Sequence, residues 1–185
     1  MTFVGLGEIH RRILPFTLSI RLITLTTAPS LVSFVQIGTA HAMPANGGLV
    51  VAERFAVNDL LQATNQERRA AGLNELAVNP LLNAAAARKV VDMREKGYWD
   101  HYRPSDNKAP WDFIKEAGYT YKVAGENLAR GFRTVNGITK AWMESPSHRA
   151  NLLSPDYTEV GFADAEIINE DGERVMLTVQ MFGGK

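Results

Sequence analysis

The chain has 185 residues, with 20 Lys plus Arg balancing 20 Asp plus Glu, and no cysteine. Balanced charge argues against a nucleic-acid ligand, which selects a basic surface to displace counterions. The missing thiols exclude disulfides, thiolate metal sites and cysteine nucleophiles, so stability has to come from the core of what the length suggests is one domain.

The amino terminus reads as a targeting segment. A basic stretch with Arg11, Arg12 and Arg21 precedes an apolar run from Leu22 to Gly38, which closes on Ala40-His41-Ala42. Basic, apolar and small residues in that order form a secretory signal, here residues 1–42. The run is shorter than the roughly 20 residues of a spanning helix, and Pro29 interrupts it. Cleavage leaves 143 residues with 17 basic and 19 acidic side chains, because the segment carries three Arg and one Glu. It also leaves His101 and His148 as the two histidines of the mature chain, secreted to an extracellular or periplasmic space and lacking a transmembrane span.

Residues 43–52 contain Pro44, Asn46, Gly47 and Gly48 and read as a linker; residues 53–185 read as the folded domain. A helix is expected from about Glu53 to Ala71, on the spacing of Val57, Leu60, Leu61 and Thr64. Asn79 and Pro80 cap and open a second helix, which Gly97 ends. Residues 98–108 are polar and irregular, and Ala109 to Ala117 predicts a short helix. Residues 119–131 read as a Gly125-Glu126-Asn127 turn between extended pieces. A helix over about Asn136–Glu144 ends at Pro146, which pushes Ser145 out of helical geometry. Ser145 then caps another short helix through Asn151. Val160 and Phe162 mark one strand. Val175, Leu177, Val179 and Met181 alternate in a second, joined to the first by a turn over residues 169–172. Helices first and an antiparallel hairpin last make the class α+β, with helices covering a sheet.

Certain polar residues stand out against this frame. Asn65 and Arg68 share a helix face with Leu61, and a guanidinium on an apolar face has to be hydrogen-bonded; Arg68 reads as a structural tie to a later loop. His148 falls in the first turn of its helix, where the dipole disfavours imidazolium. A neutral ring suits a metal ligand or a proton acceptor. Glu144 ends the preceding helix facing the negative end of the dipole, the kind of broken local rule found at functional sites.

These fragments, in this order, resemble the CAP superfamily (cysteine-rich secretory, antigen five, pathogenesis-related), in its cysteine-free bacterial branch. The matching pieces are Asn65-x-x-Arg68, Gly125-Glu126-Asn127-Leu128, and Trp142 with Ser145-Pro146-Ser147-His148-Arg149-Ala150-Asn151-Leu152-Leu153. Tyr157 to Gly161 resembles the lead into a family strand, and the match spans residues 55–182. The resemblance implies a three-layer α/β/α sandwich with a central antiparallel sheet. It also implies a cleft with two His and two Glu that takes zinc or another divalent cation. His101 and Glu126 match the first His and the first Glu. His148 is the bacterial-type alternative to the second His, whose place holds Asp156; Glu144 is one residue short of the second Glu. Asn65, Arg68, Asn127, Arg149 and Asn151 are the motif residues expected to hold the fold.

Three functions follow from this reading. One is an extracellular binding module for a protein, lipid or glycan, with Trp99, Tyr102 and Trp111 as exposed aromatics lining the site. Another is a divalent-metal cleft of His101, Glu126, His148 and Glu144, extending to a metal-dependent hydrolase with Glu126 or Glu144 as base. The third is a purely structural polar cluster. A nucleic-acid partner is not expected.

Overall fold

Helix α2 (Pro80–Lys96) forms as its signals dictate. The Asn79 side chain accepts from the Leu81 amide at 2.8 Å, Pro80 occupies the first turn, and Gly97 ends the helix in the left-handed region at φ 64°. The computed structural model that contains it describes residues 3–10, 55–169 and 171–185. The expected cleavage site and the linker over 43–52 lie outside the described residues. The amino-terminal strand β1 (Phe3–His10) falls within the segment read as a signal. It is followed by α1 (Val57–Ala70), β2 (Ala77–Val78), α2, α3 (Pro110–Glu116) and β3 (Val123–Arg130). Helices α4 (Val135–Glu144) and α5 (Pro146–Leu152) and strands β4 (Glu159–Ile168) and β5 (Arg174–Gly184) complete the chain.

Two helix starts differ from the sequence expectation for identifiable reasons. Helix α1 begins at Val57 rather than at 53, because the Phe55 amide donates to the Asp164 carboxylate at 3.1 Å and pins the entering chain to β4. Helix α4 starts one residue early, at Val135, where the Thr134 hydroxyl accepts from the Gly137 amide at 3.1 Å.

The larger correction concerns Gly125-Glu126-Asn127, which is not a turn but the middle of β3. Every residue from Ala124 to Ala129 is buried, so the strand shows no polar alternation. Gly125 is required there by packing. A Cβ would collide with the Tyr157 hydroxyl and come within 3.0 Å of Asn151 Oδ1.

The sheet order is β1-β3-β5-β4-β2. Its centre is antiparallel, with β5 pairing β3 on one side and β4 on the other, so that Met181 faces both Glu126 and Gly161. Its flanks are parallel, β1 on β3 and β2 on β4. Processing after Ala42 would remove β1 and open the outer edge of β3.

Side chains on the two faces enter two separate cores, as a period of two requires. Ala124, Leu128, Ala163, Ala165, Leu177, Val179 and Met181 pack with Leu82, Val90 and Met93 of α2 and with Phe113 and Ile114 of α3. Ala129, Val160, Phe162, Met176 and Phe182 pack with Leu60 of α1, Ile138 and Trp142 of α4, and Leu152 of α5. The result is a three-layer α/β/α sandwich of class α+β. Each fully buried Val, Leu or Phe contributes about 1.5–3 kcal/mol, so two covered faces supply what disulfides would otherwise add. The second helix layer also explains why Thr178 and Gln180, polar positions in the alternating strand, are buried at 1% and 0% exposure.

Candidate functional site

The polar centre of the α2–α3 face is organised by a residue the sequence reading passed over. Lys89 sits on α2 with 0% exposure. Its ammonium donates to the His101 carbonyl at 2.6 Å, the Asp100 carbonyl at 2.9 Å and the Tyr98 hydroxyl at 3.3 Å. Burial pulls its pKa below the ordinary lysine value, while the Glu126 charge pulls it back up. The one signal available in the sequence was a lysine set among Ala85, Ala86, Val90 and Met93 on the apolar stripe.

This lysine holds the segment that carries His101. The imidazole Nδ1–H of His101 donates to Glu126 Oε1 at 2.7 Å, with His101 7% exposed and Glu126 fully buried. Glu126 points to this face because it shares strand parity with Ala124 and Leu128. The other atoms of the pair, His101 Nε2 and Glu126 Oε2, are buried without a hydrogen-bond partner among the described residues. The outer part of the segment is tied by Arg103, whose guanidinium forks onto Asp92 at 2.8 and 3.0 Å. Burial would raise the Asp92 carboxyl, but hydrogen bonds from Lys96, Tyr98 and Arg103 outweigh it and hold the group below the usual range.

A second polar network occupies the opposite face. Asn127 donates to Gln180 Oε1 at 3.1 Å and to the His148 carbonyl at 3.3 Å, and Gln180 donates to the Thr64 hydroxyl at 3.0 Å. Asn151 donates to Asn127 Oδ1 at 2.9 Å and to the Glu126 carbonyl at 3.1 Å. Asn65 exchanges two hydrogen bonds with the Leu76 backbone, at 2.9 and 3.0 Å. Arg68 donates to the carbonyls of Asn74, Leu152, Ser154 and Tyr157 at 2.8 to 3.4 Å. These four motif residues fasten the loops around α1 and α5. Arg149 is exposed, and its side chain joins none of these networks among the described residues.

The structure therefore brings His101 and Glu126 together and leaves the other proposed ligands apart from them. His148 is fully buried on α5, which packs on the other side of the sheet, and its Nδ1 lies 2.7 Å from the Ser145 hydroxyl. That contact takes the hydroxyl expected to cap α5, so the helix has no side-chain cap. Glu144 is exposed and sits 3.7 Å from Lys140. Trp111 is not an exposed aromatic of the loop but a buried residue of α3, whereas Trp99 and Tyr102 are half-buried. Among the described residues no three His, Asp or Glu side chains converge as metal donors. Protein-bound zinc takes three or four protein ligands, more than the two donors, His101 and Glu126, that meet among the described residues.

Comparison with known proteins agrees with this architecture. The family model described as "Cysteine-rich secretory protein family" (CAP) matches residues 61–181. The uncharacterized protein YkwD of Bacillus subtilis (strain 168) is 40% identical over 107 residues, covering 58% of this chain and 41% of that protein. The chain thus spans less than half of that relative. An outer surface protein from Borrelia burgdorferi shares the fold with a TM-score of 0.61 at 22% identity, over 74% of this chain and 99% of that one. An extracellular protein containing a SCP domain from Bacillus anthracis does so with a TM-score of 0.56 at 24% identity, over 70% and 40%. Among the described residues no helix is long and apolar enough to cross a membrane.

Proposed function

Since the chain belongs to the cysteine-rich secretory protein (CAP) family, we propose that it is exported and acts outside the cytoplasm as a non-enzymatic binding module. In this reading the His101–Glu126–Lys89 cluster is the scaffold that sets its irregular 98–108 segment. One observation carries the reading. The buried pair is closed off from solvent, and the lysine beside it spends its donors on the carbonyls of the segment itself. Such an arrangement fixes a loop, and burial keeps the two remaining atoms of the pair, His101 Nε2 and Glu126 Oε2, away from bulk substrate. Export is supported by the basic, apolar and small-residue order of residues 1–42 and by the outer-surface and extracellular structural neighbours.

The test is to melt the purified protein beside its His101→Ala and Glu126→Gln variants and to assay all three on a chromogenic ester and on casein with added zinc. The reading predicts a lower Tm for both variants and no zinc-dependent turnover in the parent. Turnover that both substitutions abolish at unchanged Tm would overturn it.

A second reading, a weakly held divalent cation, draws on the two buried atoms without partners, His101 Nε2 and Glu126 Oε2. Calorimetric titration with zinc, beside a His101→Ala/His148→Ala double variant, decides it. Equal heats from the two proteins would remove the cation.

A further inference from the structure

Away from the buried pair, a cleft of about 540 Å³ runs past the carboxyl end of α2 and the end of the β4–β5 hairpin. Its volume falls in the roughly 300–1,000 Å³ range of ligand pockets. Three guanidinium groups line it, from Arg94, Arg130 and Arg174, against one carboxylate, Glu166. That carboxylate is already paired with Arg174 at 3.0 Å. Among the described residues Arg94 and Arg130 have no carboxylate partner, so the cleft carries two uncompensated positive charges in a chain of zero formal net charge.

Met93, Trp99, Ile167 and Ile168 give the cleft an apolar wall beside polar Tyr98 and Asn169. Arg130 lies over the Trp99 ring at 5.6 Å, which aims a flat cation along the wall. Ile168 is 61% exposed, the more exposed of the two large apolar side chains that reach solvent among the described residues. The backbone adds a third element. Strand β4 pairs with β2 at Glu159 and Val160 alone, and the next stretch of its outer edge is covered, with the Phe162 amide donating to Asn83 Oδ1 at 2.9 Å, so the edge left without a neighbour is the short exposed end at residues 166–168. Edge amides and carbonyls at that exposed end can pair with a short extended chain.

We propose that this cleft binds an extended acidic peptide segment bearing an apolar side chain. Its carboxylates would meet Arg94 and Arg130, its apolar group would lie between Trp99 and Ile168, and its backbone would pair with the exposed end of β4 at residues 166–168. The exposed end of the β4 edge favours a peptide over a lipid headgroup, which has no backbone to pair. The inference rests on the binding-module reading and gives that module a ligand.

The experiment is fluorescence anisotropy of the full chain with a labelled Glu-Leu-Glu-Ile-Glu peptide and its Lys-for-Glu counterpart. The acidic peptide is expected to bind at least tenfold tighter, and to weaken as salt screens the charges. Arg94→Glu/Arg130→Glu is expected to lower its affinity at least tenfold. Should that variant fail to melt cooperatively, Ile168→Asp, at an exposed position, is expected to weaken binding at least threefold. Equal affinity for both peptides would overturn the inference, as would unchanged affinity in a folded variant. Arginine-dependent retention on phosphatidylglycerol vesicles without peptide binding would also overturn it. None of these readouts involves His101 or Glu126, so failure here is distinct from failure of the module reading, which is judged by turnover and Tm.

Discussion

Replacing Lys89 with Met keeps the length of the side chain and removes its three hydrogen bonds. The contacts to the Asp100 and His101 carbonyls are short, at 2.9 and 2.6 Å. Hydrogen bonds to a charged group are worth about 1.5–3 kcal/mol each, a gross loss of about 3–6 kcal/mol. Relief from burying the charge offsets part of it, as the lowered lysine pKa requires. A net loss of about 2–4 kcal/mol remains, since the buried His101 carbonyl and the partly buried Asp100 carbonyl lose their donor and Glu126 loses a positive neighbour. At roughly 2.1 cal/mol/K per residue, a domain of this size loses about 4 °C of Tm per kcal/mol, giving a fall of roughly 8–16 °C. The pH dependence supplies an independent signature. Between the lowered folded pKa and the ordinary 10.5, the unfolded state holds the extra proton, so parent stability rises with pH across that window. Lys89→Met lacks this rise. Calorimetric melts of both proteins from neutral pH to pH 10 measure both effects. A variant as stable as the parent at neutral pH, or one that keeps the rise, would refute the reasoning.

Other substitutions probe the remaining contacts. Arg68→Ala strands four carbonyls and is expected to cost about 3–5 kcal/mol in urea unfolding; Arg68→Lys recovers a minor part, since an ammonium cannot reproduce the fork. Gly161→Ala drives a Cβ into the Leu82–Asn83 backbone of α2, and a loss of about 1–3 kcal/mol or more should appear in the same assay. Glu159 is held below the usual carboxylate range by hydrogen bonds, first from the Tyr119 hydroxyl and then from Asn79. Its contribution is present above the unfolded pKa and is lost as pH falls through the folded one. Tyr119→Phe should therefore narrow the stability gap between neutral and acidic pH, read by unfolding across pH 2 to 7.

Helix boundaries were legible where their signals are local. Asn79, Pro80 and Gly97 bound α2 through their own backbone preferences, and Pro146 separates α4 from α5. Strand β3 was not legible, because both of its faces are covered and Gly125 imitates a turn residue. A glycine that accommodates the Tyr157 ring looks the same in sequence as one that supplies a positive φ. The site was half legible. His101 and Glu126 meet as the motif resemblance implied. Strand parity then separates Glu126 from the α5 side of the sheet, and a period-two argument could not be applied to a segment read as a turn. Lys89 went unnoticed because a lysine on an apolar stripe is usually a long side chain reaching for water. Its partners are carbonyls of a loop whose path the sequence does not reveal.

The central claim is that residues 101 and 126 act as one buried unit from which His148 is independent. Double-mutant cycles in urea, run with and without zinc on the pairs 101/126 and 101/148, measure it most directly. The account predicts a coupling energy of about 1 kcal/mol or more for the first pair, and additivity within about 0.5 kcal/mol for the second under both conditions. Coupling between the two histidines above about 1 kcal/mol that appears on adding zinc would contradict it.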